Sequence, residues 1–256
     1  MLLAIDIGNT TIFFGVYDGE ACLADELKCH FRMATDKEKT ANEYGEDFFN
    51  LLGEKVKISA TIISCVVPSL APVFNQMIKN YFGVEARFVE GTKVQFPILY
   101  DNPREVGADR IVNAVAAYHL YGGPAIVVDF GTATTFDVIS EKGEYLGGAI
   151  APGIGICVEA LWTKTALLPK VEVVKPKTVI GKNTVESMQA GIFYGFVGQV
   201  DEIITKIKEE LHIEPKVIAT GGLAELISSG SRYIQLVNPF LTLEGLRIIY
   251  QEGLSS

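Results

Sequence analysis

The chain has 256 residues, 48% hydrophobic and 21% charged, a balance that excludes disordered and fibrous proteins and allows one large or two modest domains. Its net charge of −9 lacks the electrostatic footprint of a protein that neutralises many nucleic-acid phosphates, so no nucleic-acid partner is expected. The longest stretch without polar side chains, Tyr145–Val158, is broken by glycines and Pro152 and falls short of the roughly 20 residues of a spanning helix, so no membrane partner is expected either.

The opening run Leu2–Ile7 reads as a buried strand with no basic segment or cleavage site before it, so no secretory signal is expected. Cys22, Cys29, Cys65 and Cys157 are scattered without a C-x-x-C pair, which suits free thiols in a reducing cytoplasm. Thr11–Tyr17 follows as a second strand, and Asp18-Gly19 is a turn signal leading to a third. Thr40–Gly53 has a helical pattern and Ala60–Val67 a strand pattern. Leu70, Val73, Phe74, Met77, Ile78, Tyr81 and Phe82 recur at three- and four-residue steps, a helix face with Ser69 at the cap position and Gly83 at the stop. Gly91–Gly107 shows no periodicity and contains Pro97 and Pro103, so it reads as a long loop of the kind that is functional or disordered. The helix Ala108–Tyr121 is stopped by Gly122-Gly123-Pro124.

The opening pattern then starts again, with strands Ala125–Asp129, Thr134–Ile139 and Glu144–Ile150 and a turn at Lys142-Gly143. Thr163–Asn183 is irregular and lysine-rich, and Trp162 before it is expected in the core. A long helix, Thr184–Leu211, carries Gly191, Gly195 and Gly198 on one side, a spacing that permits close helix approach. The strand Lys216–Thr220 and a strand–helix pair near Tyr233–Tyr250 close the chain. His30, His119 and His212 are isolated and read as surface or helix residues. The alternation defines an α/β protein of two similar halves, residues 1–118 and 119–256.

The repeat carries the chemistry. Asp6-Ile7-Gly8-Asn9-Thr10-Thr11 ends the first strand of one half, and Asp129-Phe130-Gly131-Thr132-Ala133-Thr134-Thr135 ends that of the other. A lone D-x-G is common in tight turns; two copies on matching strand–turn–strand units point to a shared role. Backbone N–H groups of a glycine turn, with threonine hydroxyls, form a concave donor set for phosphate oxygens. The aspartate opening each turn repels phosphate but can hold a cation that bridges phosphates, the usual Mg²⁺ arrangement. Ala219-Thr220-Gly221-Gly222-Leu223 runs from a strand into a glycine pair opening a helix, where a flat base can approach the backbone. Other nucleotide signatures fail: Gly181-Lys182 lacks the flanking residues of a P-loop, and Gly153-Ile154-Gly155 lacks the dinucleotide pattern. Asp109 begins a helix after the long loop, as an acid meeting the helix dipole or as a base for a hydroxyl attacking phosphorus. Arg110 beside it can serve a substrate carboxylate or a core acid.

These three elements resemble the phosphate 1, phosphate 2 and adenosine motifs of the acetate kinase, hexokinase, sugar kinase and actin superfamily. With Tyr100-Asp101-Asn102-Pro103, Gly107-Ala108-Asp109-Arg110 and Gly147–Gly153 added, the chain resembles the type III pantothenate kinase family over nearly its whole length. The resemblance implies two actin-like (ribonuclease H-like) domains, each with a mixed β-sheet flanked by helices, and an active site in the cleft between them. It implies ATP-dependent phosphorylation of the primary hydroxyl of pantothenate to 4'-phosphopantothenate, the first step of coenzyme A biosynthesis. It further implies a cytoplasmic homodimer that depends on Mg²⁺ and on potassium or ammonium. In that reading Asp109 is the base, and Tyr100, Gly107, Ala108, Asp109, Arg110 and Thr184 line the pantothenate site. ATP meets Asp6, Ile7, Gly8, Asn9, Thr10, Thr11, Ile12 and Phe13 on one side and Gly131, Thr132, Gly221 and Gly222 on the other. Asp6 holds Mg²⁺ and Asp129 the monovalent cation. The lysines of 163–183 are either a solvated loop or an offset to anionic ligands. Two other readings of the motifs stand beside this one: another small-molecule kinase of the superfamily, and a non-enzymatic regulatory accessory factor.

Overall fold

A computed structural model describes residues 1–18, 26–53 and 56–253. The chain divides into one unit of Met1–Ala116 with Phe240–Ser256 and a second of Ala117–Pro239.

In the first unit, β1 (Leu2–Ile7) lies between β2 (Thr11–Asp18), which is antiparallel to it, and β4 (Ala60–Cys65), which is parallel. The edge strand β3 (Glu26–Ala34) completes the order β3-β2-β1-β4. The central strand β1 is apolar on both faces because both are covered, so its sequence runs hydrophobic without alternation. Helix α1 (Ala41–Leu52) starts in a capping box between Thr40 and Glu43, which satisfies two of the free N–H groups of its first turn. Helix α2 (Ala71–Phe82) stops at Gly83 in the left-handed conformation, as its sequence predicts. Its cap residue is Leu70 rather than Ser69, with Pro72 in the first turn, where the missing N–H costs nothing. These helices bury Tyr44, Phe48, Phe74, Met77 and Ile78 against the sheet, where Phe14 and Phe48 stack at 4.0 Å.

The second unit repeats this topology. β5 (Ala125–Phe130) lies between β6 (Ala133–Ile139), antiparallel, and β8 (Lys216–Gly221), parallel, in the order β7-β6-β5-β8-β9 with β7 (Tyr145–Pro152) and β9 (Leu236–Val237) at the edges. The long helix α5 (Thr184–Leu211) is capped by Asn183, and it packs Phe193, Phe196, Val200 and Ile204 into a core with Ile126, Val128 and Phe136. Helix α3 (Ala108–Tyr121) carries the chain from one unit to the next, and the short helix α6 (Ala224–Ser228) follows β8.

Four findings differ from the sequence reading or extend it. Residues 154–164 form a helix, α4 (Ile154–Lys164), which the sequence analysis did not place. Only Ile154 and Val158 of it are buried, so its apolar stripe is too short to show a period. Trp162 is 47% exposed, with the Lys170 ammonium 5.8 Å from its ring, instead of lying in the core. Two 3₁₀ turns, Gly91–Lys93 and Pro103–Glu105, punctuate the long loop. The last helix, α7 (Leu241–Glu252), belongs to the first unit, so a division into 1–118 and 119–256 misses this return of the chain. Gly15 and Gly245 make the return possible: a Cβ on Gly15 would come within 2.9 Å of Leu243, and one on Gly245 would collide with the Val112 carbonyl. The expected Asp18-Gly19 turn and Cys22 lie outside the described residues.

Candidate active site

The first unit gathers two groups of predicted residues. Asp6 sits near the end of β1 in register with Phe13 on β2 and Ser64 on β4. The turn Gly8–Thr11 is closed by a hydrogen bond from Gly8 N–H to the Thr11 carbonyl at 3.0 Å. Ser64 is fully buried and its hydroxyl has no hydrogen-bond partner among the described residues. Cys65 follows it, its thiol pushed up by burial and by the Asp6 charge while it donates to the Val67 carbonyl.

Asp109 lies in the first turn of α3, half-buried, and Oδ1 accepts from the Arg110 N–H at 2.8 Å. Burial raises its carboxyl above the ordinary range, and the Arg110 N–H and guanidinium only partly offset this. Gly107 allows the tucked geometry, since its Cβ would lie 2.5 Å from Asp109 Oδ1 and 3.8 Å from Val66. Val66 in turn donates to the Ile7 carbonyl at 3.1 Å, so contacts link the Asp109 segment to the end of β1. Ala108 is half-buried, Arg110 is buried and Tyr100 is exposed in the preceding loop, where Asn102 caps the second 3₁₀ turn.

The second unit places Asp129 on β5, directly opposite Thr135 on β6 and Thr220 on β8. Gly131 N–H closes this turn onto the Ala133 carbonyl at 3.0 Å. Gly153 seats it, because a Cβ there would overlap the Thr132 carbonyl and lie 2.7 Å from that of Gly131. Gly221, with φ +91°, faces the same aspartate: its Cβ would be 2.6 Å from Asp129 Oδ1 and from the Phe130 carbonyl. The register of β5 and β8 thus brings the end of β5, where the Gly131 turn begins, and Gly221 together. Gly221→Ala should unfold at lower temperature, by the roughly 1–3 kcal/mol of a strained backbone, and displace Asp129. Thermal melting and ATP titration of the variant check both effects; an unchanged ATP affinity would leave Gly221 a folding role only. Thr184 is exposed at the start of α5.

Sequence reasoning missed Thr35, Ser64 and Asp137. Asp137 is fully buried on β6 and accepts hydroxyl hydrogen bonds from Tyr145 at 2.9 Å and Thr135 at 3.0 Å. A charged residue in a run as apolar as Phe136–Ile139 was the available signal. Among the described residues no three His, Cys, Asp or Glu side chains cluster as a metal site, and no helix is long and apolar enough to cross a membrane.

Two mixed sheets of like strand order, each flanked by helices and each carrying an aspartate and a glycine turn at the end of an inner strand, define an α/β protein of two similar units. A Baf family protein from Campylobacter jejuni shares this fold at a TM-score of 0.62 and 20% identity, over 98% of both chains. The type III pantothenate kinase of Moorella thermoacetica is 56% identical over 99% of this chain and 100% of its own length. That of Geobacter sulfurreducens is 54% identical over 99% of each. The family model for type III pantothenate kinase matches residues 2–206, and the chain belongs to that family.

Proposed function

We propose that the protein transfers the γ-phosphoryl group of ATP to the primary hydroxyl of pantothenate, giving 4'-phosphopantothenate and ADP, the first step of coenzyme A biosynthesis. The observation that carries this reading is Asp109: a half-buried carboxylate at a helix start, beside Arg110 and the glycine that gives it room, within a chain of this family. In the proposed step the pantothenate hydroxyl oxygen forms a bond to the γ-phosphorus as the bond to the β-phosphate oxygen breaks. The hydroxyl proton passes to Asp109. Tyr100, Gly107, Ala108, Arg110 and Thr184 hold pantothenate, and the Arg110 guanidinium offers its positive charge to an anionic substrate.

ATP is held by the Asp6–Phe13 segment, by Gly131 and Thr132, and by Gly221 and Gly222. Asp6 suits Mg²⁺, which commonly rests on one or two carboxylates with phosphate and water, and the buried Ser64 hydroxyl adds an oxygen in the same register. Bound there, Mg²⁺ neutralises charge on the transferring phosphates. Asp129 suits a monovalent cation, because the Thr135 hydroxyl opposite it gives its proton to Asp137 and keeps its lone pairs for a cation.

A homodimer is part of the same reading. Leu161, Trp162, Leu167, Val179, Ile180 and Val185, all on the stretch from α4 to the start of α5, are exposed large apolar side chains of the kind a partner copy would cover. Free Cys29, Cys65 and Cys157 accord with a reducing cytoplasm.

The test is ATP consumption by the purified protein with pantothenate, set against a panel of sugars. Turnover with pantothenate alone is expected; turnover with a sugar and none with pantothenate would favour another kinase of the superfamily, and none with either would favour an accessory factor. Asp6→Ala should weaken Mg-ATP use and lower turnover together without a matching loss of thermal stability. Normal kinetics in that variant would reduce Asp6 to a turn residue.

A further inference from the structure

A phosphate-binding turn needs its donors exposed, but every peptide in it also carries an oxygen that repels phosphate. In the Gly8–Thr11 turn three of those oxygens, the Gly8, Thr10 and Thr11 carbonyls, are taken up within the first unit. The Thr11 carbonyl accepts from Gly8 N–H. Thr35, the residue after β3, donates its hydroxyl to the Gly8 carbonyl at 2.7 Å and its N–H to the Thr10 carbonyl at 3.0 Å. Lys37 donates Nζ to the Asn9 side-chain oxygen at 3.3 Å. The β2–β3 ladder sets this up, since Thr11 pairs with Ala34 and delivers Thr35 to the turn.

We propose that Thr35 is a positioning residue for ATP: with Lys37, it draws the oxygens of the Gly8–Thr11 turn back so that its N–H groups and threonine hydroxyls meet the phosphates. One residue does this for two carbonyls because its backbone and side chain each donate once. The hydroxyl is therefore the replaceable half, and valine keeps its shape without the proton. The proposal rests on the reading that this turn meets ATP.

The experiment measures Mg-ATP binding by calorimetry without pantothenate, then KM for each substrate, in Thr35→Val and Thr35→Ser. Losing one hydrogen bond and freeing the Gly8 carbonyl should weaken ATP binding roughly tenfold in Thr35→Val. KM for pantothenate should stay within about twofold, and Thr35→Ser should bind ATP nearly as the parent does. Lys37→Met, on an exposed side chain, gives a second reading should Thr35→Val not fold, with ATP binding weaker by about threefold. A lower melting temperature with ATP affinity unchanged, or both KM values rising together, would make Thr35 only a brace of the fold and overturn the proposal. A parent protein that binds no ATP would overturn the kinase reading itself, an outcome visible before any variant is made.

Discussion

Asp109→Asn should abolish most turnover while leaving a folded protein that binds ATP, with kcat lower by about 10²-fold or more. Asparagine keeps the shape and the oxygen that accepts from Arg110 N–H, but it cannot take the proton of the attacking hydroxyl. The rest of the rate, from positioning and charge neutralisation, should survive. The raised pKa of Asp109 adds two further expectations. In the parent, kcat/KM, which reports the free enzyme's groups, should fall on the acid side at a pH above the ordinary aspartate value of about 3.9, as the base becomes protonated, and the variant should lose that limb. Stability should move the other way. Folding raises this pKa, so the stabilising contribution of the protonated form is complete below the unfolded value and is lost as pH rises through the folded one. At neutral pH the parent therefore bears the desolvation of a half-buried charge, and the neutral amide should melt at a higher temperature than the carboxylate it replaces. A variant with near-normal turnover, or one less stable than the parent at neutral pH, would leave Asp109 a capping residue.

Replacing potassium by sodium at fixed Mg²⁺ and ionic strength should remove most of the activity, and Asp129→Ala should abolish the response to potassium along with most of the turnover. The argument is one of charge and of oxygen geometry. In the proposed reaction an anionic acceptor meets ATP, and Asp6 already supplies the carboxylate for Mg²⁺. A further carboxylate at the second phosphate turn adds repulsion unless a cation rests on it. The register places Thr135 and Thr220 either side of Asp129, and the Thr135 hydroxyl is oriented by the buried Asp137. Potassium accepts several oxygen ligands at long distances, and the smaller sodium ion should fit such a set poorly. Equal rates in the two salts, or an Asp129→Ala variant that still responds to potassium, would exclude this role.

The sequence by itself determined most of the elements, the repeat and the motifs, but not α4, whose buried stripe is only two residues. Leu2–Ile7, Ala108–Tyr121 and Thr184–Leu211 fall where periodicity and glycine stops place them, because burial of one face or two leaves its period in contiguous residues. The two aspartate–glycine turns were legible for the same reason: a turn is a local object, built from neighbours in the chain. Tertiary structure alone decided the rest. It returned α7 to the first unit through close approaches at Gly15 and Gly245, residues distant in sequence from the helix or from its contacts. It set Gly221 against Asp129 by pairing β5 with β8, and it brought Thr35 to the Gly8–Thr11 turn through the β2–β3 ladder. It also half-buried Asp109 and raised its pKa, which no residue next to it in the chain foretells. Desolvation and close contact depend on what the remainder of the chain packs around a group, and that is settled only when distant segments meet.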